Sequence, residues 1–115
     1  MPTLNIDGEF PNLRLPTVDF LGHDVYGVTR KGKVYGPFRY FRFTWAHLKD
    51  GEMISIWYRL QGARGRRVTV SIPVASSSSW ELFYGEVELN SFRRDGPLAF
   101  NVTVDVTRVN DDPDA

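Results

Sequence analysis

The sequence predicts a mainly β fold, an antiparallel β-sandwich or partly open barrel with a single flanking α-helix. Three observations carry that expectation. Aromatic residues make up 14% of the chain, as three Trp, five Tyr and eight Phe, types that pack well on a pleated surface. Ten glycines and seven prolines supply the turns that many short strands need. Apolar residues follow a period of two in most segments and a helical period in only one. At 115 residues the chain is one domain by length, able to hide roughly two-thirds of its unfolded surface.

Residues 1–22 contain Pro2, Pro11 and Pro16 and scattered apolar residues such as Leu4, Ile6, Phe10, Leu13 and Leu15. They read as an extended N-terminal arm with one short strand at residues 3–6, packed on its own domain or on a neighbouring subunit. The β domain proper is expected over residues 23–109. A strand at residues 24–29 turns through Arg30, Lys31, Gly32 and Lys33 into Val34-Tyr35, which makes a hairpin. In residues 38–45, alternation puts Phe41, Phe43 and Trp45 on one face and Tyr40, Arg42 and Thr44 on the other.

The period then changes. Asp50 is placed to cap a helix over about residues 50–61, with Glu52 in its first turn and Met53, Trp57 and Leu60 as its apolar stripe, widened by Ile54 and Ile56. Gln61-Gly62 reads as its stop. After the basic loop come Val68, Val70 and Ile72, alternating with Thr69 and Ser71 until Pro73 ends the strand, and Ser76 to Ser79 form a loose loop. Trp80, Leu82 and Tyr84 alternate with Glu81 and Phe83, and Gly85 marks a bulge or kink before Val87 and Leu89. Arg94-Asp95-Gly96-Pro97 is a turn. In the last strand Leu98, Phe100, Val102, Val104 and Val106 are expected to face the core, and residues 110–115 form an acidic tail.

Chemistry-bearing patterns are sparse. Zero cysteines exclude disulfides, thiolate metal sites and thiol catalysis. The two histidines, His23 and His47, have no metal-ligand spacing, and an adjacent His23-Asp24 in a strand would point to opposite faces. Glu86 and Glu88 share a strand face, which reads as a solvated or interface face rather than a catalytic pair. Gly62-Ala63-Arg64-Gly65 lacks the lysine of a phosphate-binding loop. The Asn101-Val102-Thr103 sequon is a chance match within a strand, and the rings in Arg39-Tyr40-Phe41-Arg42-Phe43 that would stack on bases are mostly turned to the core. No enzyme, metal or cofactor is expected.

The charge distribution says more. Arg64, Arg66 and Arg67 form the densest basic cluster, either an anion clamp or a solvated turn. The chain has 14 basic and 14 acidic residues and no net charge, which argues against bulk attraction to a polyanion or membrane surface. By segment it is uneven. Residues 1–29 hold one basic and four acidic side chains, residues 30–67 ten and two, and residues 68–115 three and eight. Such edges either pair within one chain or meet between subunits of a head-to-tail ring. Candidate inter-subunit contacts are therefore Arg30, Lys31, Lys33, Arg64, Arg66 and Arg67 on the basic side and Glu86, Glu88 and Asp105 on the acidic side. No stretch is long and apolar enough for a membrane span, and the first ten residues lack a signal-peptide layout. A protein that acts where it is made, or is carried out by an assembly, is expected.

From Tyr40 to Val109 the pattern of apolar residues and turns can be compared with known families. A strand ending in Trp45 is followed by Leu48, a helix opening with Glu52-Met53 and continuing through Ile56, and a strand ending at Pro73. An aromatic strand then closes in Tyr84-Gly85-Glu86-Val87, and the Arg94-Asp95-Gly96 turn leads to a strand ending in Thr107-Arg108-Val109. This resembles the small tail proteins of long-tailed, siphovirus-like bacteriophages, over roughly 70 of the 115 residues. The resemblance implies a virion structural protein of tail-tube-like fold: a tube, distal-tail, terminator or neck component, assembled in the host cytoplasm. It implies a homo-oligomeric, hexameric ring whose partners are itself and other tail proteins, with DNA only as cargo in the lumen. The arm and the basic loops at 30–33 and 62–67 are the segments it implies for contacts between rings. The alternative is a carbohydrate-binding-like β-sandwich module with Trp80, Tyr84 and Tyr40 as its platform.

Overall fold

A computed structural model describes residues 4–10, 13–23, 27–28, 34–35, 38–73, 80–111 and 113. Its elements in chain order are β1 (Leu4–Asn5), β2 (Glu9–Phe10), β3 (Thr17–His23), β4 (Gly27–Val28), β5 (Val34–Tyr35), β6 (Arg39–Lys49), α1 (Asp50–Ala63), β7 (Val68–Pro73), β8 (Trp80–Asp95) and β9 (Leu98–Asn110). Five strands form one antiparallel sheet in the order β3-β6-β9-β8-β7, curled into a half-barrel with the single helix packed against it. The fold is thus the mainly β, partly open barrel with one helix that the sequence predicts. The expected hairpin is present as β4 paired with β5 through Gly27↔Tyr35 and Val28↔Val34. Its basic turn, residues 24–26 and the serine loop lie outside the described residues.

One core joins sheet and helix. Phe41, Phe43, Trp45 and Leu48 of β6 meet Val102, Val104, Val106 and Val109 of β9, with Val68, Val70 and Ile72 of β7 and Val87 of β8 around them. From the helix come Met53, Ile56, Leu60 and Ala63. That stripe corrects two sequence expectations. The periodicity puts Trp57 and Ile54 on the apolar face, yet they stand 42% and 45% exposed. Steps of three, four and three residues from Met53 keep one face inward, and Trp57, one residue after Ile56, lies 100° round the helix. The start and stop also shift. Lys49 is the cap, with its N–H donating to Glu52 Oε1 at 3.0 Å, while Asp50 is the first helical residue and its N–H meets the Pro97 carbonyl. The helix ends at buried Ala63 rather than at Gln61.

The final strand corrects a third expectation. Alternation puts Leu98 and Phe100 on the core face, but Ala99 is the buried residue there. The β6–β9 register runs unbroken through Trp45↔Val102, His47↔Phe100 and Leu48↔Ala99. Because Trp45 and Leu48 face inward together with Val102 and Ala99, the two strands change phase together at residues 46–47 and 100–101. Asn101 takes φ of +52° at this bend, a left-handed conformation that asparagine adopts more readily than most residues. Beyond it, Asp95↔Leu98 closes the β8–β9 hairpin over Gly96-Pro97, and the φ of +61° at Gly96 is the one that a two-residue loop with glycine first requires.

Residues 17–22, expected in the arm, are instead most of β3 and belong to the sheet, and the described part of the arm before them packs on the same domain. Leu4 and Ile6 are fully buried, Ile6 bridges Val70, the Asp7 N–H donates to the Thr69 carbonyl at 2.8 Å, and the Asn5 N–H donates to Ser71 Oγ at 2.8 Å. Ser71 is buried, and this bond satisfies it. The arm therefore covers one outer edge of the sheet, that of β7. Further along, Trp45 Nε1 donates to the Arg14 carbonyl at 2.8 Å, and Arg14 in turn donates to the carbonyl of His47.

Candidate interaction site

The basic loop after α1 does not gather its arginines around one point. Arg66 donates to the Gly62 carbonyl and reaches Asp7 Oδ2 at 2.6 Å, which ties the loop to the arm. Arg59 donates to the Asp7 carbonyl and lies over the Phe10 ring, so two arginines hold the turn at Asp7. That turn needs Gly8, whose φ of +122° is a conformation that side-chain-bearing residues rarely adopt. Arg67 is half-buried at the opposite side of the loop. Its guanidinium donates to the carbonyls of Arg108 at 2.7 Å and Tyr84 at 3.1 Å and to Asn110 Oδ1 at 2.6 Å, tying the start of β7 to β8 and to the end of β9. Arg67 and Arg108 both lie over the Phe38 ring. Arg64 alone of the three is exposed with no side-chain bond to the described residues. The cluster, read from the sequence as either an anion clamp or a solvated turn, is in two of its three members a set of ties within the chain.

The acidic candidates lie on the polar face of the sheet. Register aligns Asp19, Arg42, Asp105 and Glu88 in one row across β3, β6, β9 and β8. Arg42 Nε meets Asp105 Oδ1 at 2.8 Å, and the Arg42 pKa is raised by that hydrogen bond and the Asp105 charge, with a smaller contribution from Asp19. Raised from an already high value, it leaves Arg42 charged at every physiological pH. Glu86 holds Arg108 Nε at 3.1 Å, and Glu88 is exposed opposite Asp105. The next row is Thr17, Thr44, Thr103 and Ser91, with the Ser91 and Thr103 hydroxyls 2.9 Å apart. Arg30, Lys31 and Lys33 lie outside the described residues. The structure brings Asp105 together with Glu88 and Arg66 together with Asp7, and it does not bring the basic loop to the acidic row.

No group of three or more metal-ligating side chains occurs among the described residues. His23 stacks beside Phe20 at 6.3 Å and His47 lies beside Phe100 at 6.5 Å. No described helix is long and apolar enough to cross a membrane. Trp80, expected on an aromatic platform, is half-buried and meets the Phe43 ring edge-on at 6.2 Å, and Tyr84 and Tyr40 are half-buried too.

Exposed apolar surface is found elsewhere. Trp57 and Tyr58 pack edge to face at 5.2 Å on the outside of α1, beside Ile54. With Met53, Phe92 and Arg94 they line a groove of about 310 Å³ between the helix and β8. A larger groove of about 850 Å³ runs between the arm and the other flank of α1, past Phe10, Leu13, Tyr58 and Arg59. Across the sheet, Phe20 and Leu21 on β3 are 58% and 50% exposed. A register break between Phe20 and Gly22 leaves Leu21 as the extra residue of a bulge. Sequence reasoning missed these surfaces, although a signal for one existed. Residues 53–60 hold six apolar or aromatic side chains in eight positions, more than a one-sided stripe can bury.

Compared with known proteins, the chain matches no family model, no curated sequence and no solved structure.

Proposed function

We propose that this chain is a structural protein that works by assembling with copies of itself, a ring-forming component of a phage tail or tail-like particle. One observation carries the reading. The terminal strands of the sheet are β7 and β3; the arm pairs with β7, while among the described residues nothing pairs with the outside of β3, which carries Phe20 and Leu21 exposed. An unpaired edge with apolar side chains is a place where chains associate, and proteins that stay monomeric blunt it. The resemblance of residues 40–109 to small tail proteins supplies the kind of assembly: a hexameric ring around a lumen, in the virion. Sedimentation velocity and electron microscopy of the purified chain test the reading. Concentration-dependent rings support it, and a compact monomer at millimolar concentration that no tail protein recruits sinks it.

The second reading, a ligand-binding module, is favoured by the groove between the arm and α1. Its volume of about 850 Å³ is in the range that holds small ligands, and it mixes Phe10, Leu13 and Tyr58 with Arg59 and Glu52. Chemical-shift changes confined to those residues on titrating oligosaccharides would favour this reading over assembly.

A further inference from the structure

The strand edges of this chain differ in what guards them. β7 is covered by the arm, whose Leu4 and Ile6 are fully buried and would have to leave before another strand paired there. Residues 86–95 of β8 run past the end of β7, but that stretch holds two bulges and the charges of Glu86, Glu88, Arg93, Arg94 and Asp95, devices that keep an edge from pairing. β1, β2, β4 and β5 are two residues long. β3 is guarded least. Among the described residues nothing pairs with its outside, and apart from His23 its one ionisable residue is Asp19, which the register sets beside Arg42. Asp105 and, to a smaller extent, Asp19 raise the Arg42 pKa, so the charge on this edge is offset from within its own sheet.

An edge so balanced has no excess charge with which to select a basic or acidic strand, and its residues are complementary to themselves in one register. Facing residues of an antiparallel pair point to the same side of the sheet, so a two-fold axis between two copies of β3 passes through a residue. An axis at Asp19 opposes two carboxylates, and one at Thr17 sets Leu15 against Asp19. Axes at Phe20 or Leu21 run the ladder across the register break between Phe20 and Gly22. An axis at Val18 avoids all of these. It sets Val18 against Val18 on the face of Phe43, and Thr17 against Asp19 on the face of Arg42, a hydroxyl to a carboxylate on either side of the axis. The two Asp19 residues then stand diagonally, about 7–8 Å apart, each beside its own Arg42. Exposed Leu21 of each copy comes toward exposed Leu15 of the other. We propose that β3 pairs with β3 of a second copy, antiparallel about a two-fold axis at Val18, and joins the two five-stranded sheets into one. This pairing rests on the assembly proposed for the chain and names one of its surfaces.

The ends of the ladder are set by the chain. Pro16 has no N–H to give, and the bulge at Leu21 breaks the ladder on the other side, so pairing is confined to residues 16–20 and a slip in either direction meets one of the mismatches above. So short a ladder makes a weak dimer, micromolar or weaker, that gains from repetition within a larger particle. The contact is isologous and closes at two copies. A ring that uses it therefore needs a second, unlike contact and acquires two-fold axes, as in two rings set back to back or three dimers in a hexamer.

The chain has no cysteine, so a single introduced cysteine reports the contact without background. Val18→Cys, Phe20→Cys and, on β8, Leu82→Cys are oxidised mildly at millimolar protein concentration, with circular dichroism to confirm each fold. A residue on the axis faces its own counterpart within disulfide reach, so Val18→Cys is expected to form the covalent dimer about 10-fold faster than the other two. Exposed Thr17 supplies a second measurement. Thr17→Lys attracts Asp19 of the other copy twice and Thr17→Asp repels it twice, so the dimer dissociation constant from sedimentation equilibrium falls in the first and rises in the second, by about 2- to 30-fold. If the wild-type chain associates but Val18→Cys cross-links no faster than Leu82→Cys, β3 is not the contact and the proposal is overturned while assembly stands. Fastest cross-linking through Phe20→Cys, or an equal effect of the two Thr17 variants, overturns the register and with it this pairing. A wild-type chain that stays monomeric at millimolar concentration removes the assembly reading as well.

Discussion

Arg67 shows how far one side chain can depart from what its type advertises. Beside Arg64 and Arg66 in the sequence it reads as part of an anion site, but its planar fork spans two carbonyls and an amide oxygen on β8 and β9. Lysine has the charge without the fork, so Arg67→Lys leaves acceptors unpaired and lowers stability by about 1–3 kcal/mol. A urea midpoint equal to that of the wild type would refute this. Asn101 gives a second test. At its φ of +52°, glycine is unstrained and a β-branched side chain is not. Asn101→Gly is expected within about 0.5 kcal/mol of the wild type and Asn101→Val about 1–2 kcal/mol below it. Equal losses in the two variants would mean that the asparagine side chain, not its backbone conformation, matters. Neither role was legible in the sequence. Each depends on where strands far apart in the chain come to lie, and alternation carries no mark of a bend shared by two strands.

At the scale of elements, local period was a sufficient guide to type and a poorer guide to face. The helix, the β8–β9 turn and the alternation of Phe41, Phe43 and Trp45 are readable because each is set by residues within one or two turns of chain. Which side of α1 faces inward depends on the sheet beneath it, and an all-round apolar segment leaves that open until packing decides. Packing decides for Ile56, which is fully buried, against Trp57. Ile56→Ala therefore costs about 2–5 kcal/mol, while Trp57→Ala costs under about 1 kcal/mol despite removing the larger side chain. Denaturant unfolding of the two variants checks the order, and a reversed order would show that Trp57 belongs to the core. The arm follows the same logic. Its prolines mark an extended segment, but only the register of β7 shows that Leu4 and Ile6 complete the core and cap an edge.

For the whole molecule, the uneven charge of a neutral chain has two separate uses. Arg42–Asp105 and Arg66–Asp7 each pair a base of the basic segment with an acid of an acidic one within one chain, while Arg94–Asp50 pairs the minority charges of two segments. Part of the segregation that invites a subunit interface is thus spent on holding distant parts of one domain in register. These pairs sit at the surface, where an ion pair contributes little and salt screens it over about 8–10 Å. Raising ionic strength from about 0.05 to 0.5 M is therefore expected to change the unfolding free energy by less than about 1 kcal/mol. Self-association should respond differently by mechanism: an apolar contact with a charged rim assembles more slowly at high salt but keeps most of its affinity, because buried apolar groups are not screened. Stopped-flow association and equilibrium sedimentation over that salt range separate the two quantities. An affinity that collapses in parallel with the rate would assign the contact to the exposed charges, and the basic and acidic segments, rather than exposed apolar side chains such as Phe20, would then be what one copy recognises in the next.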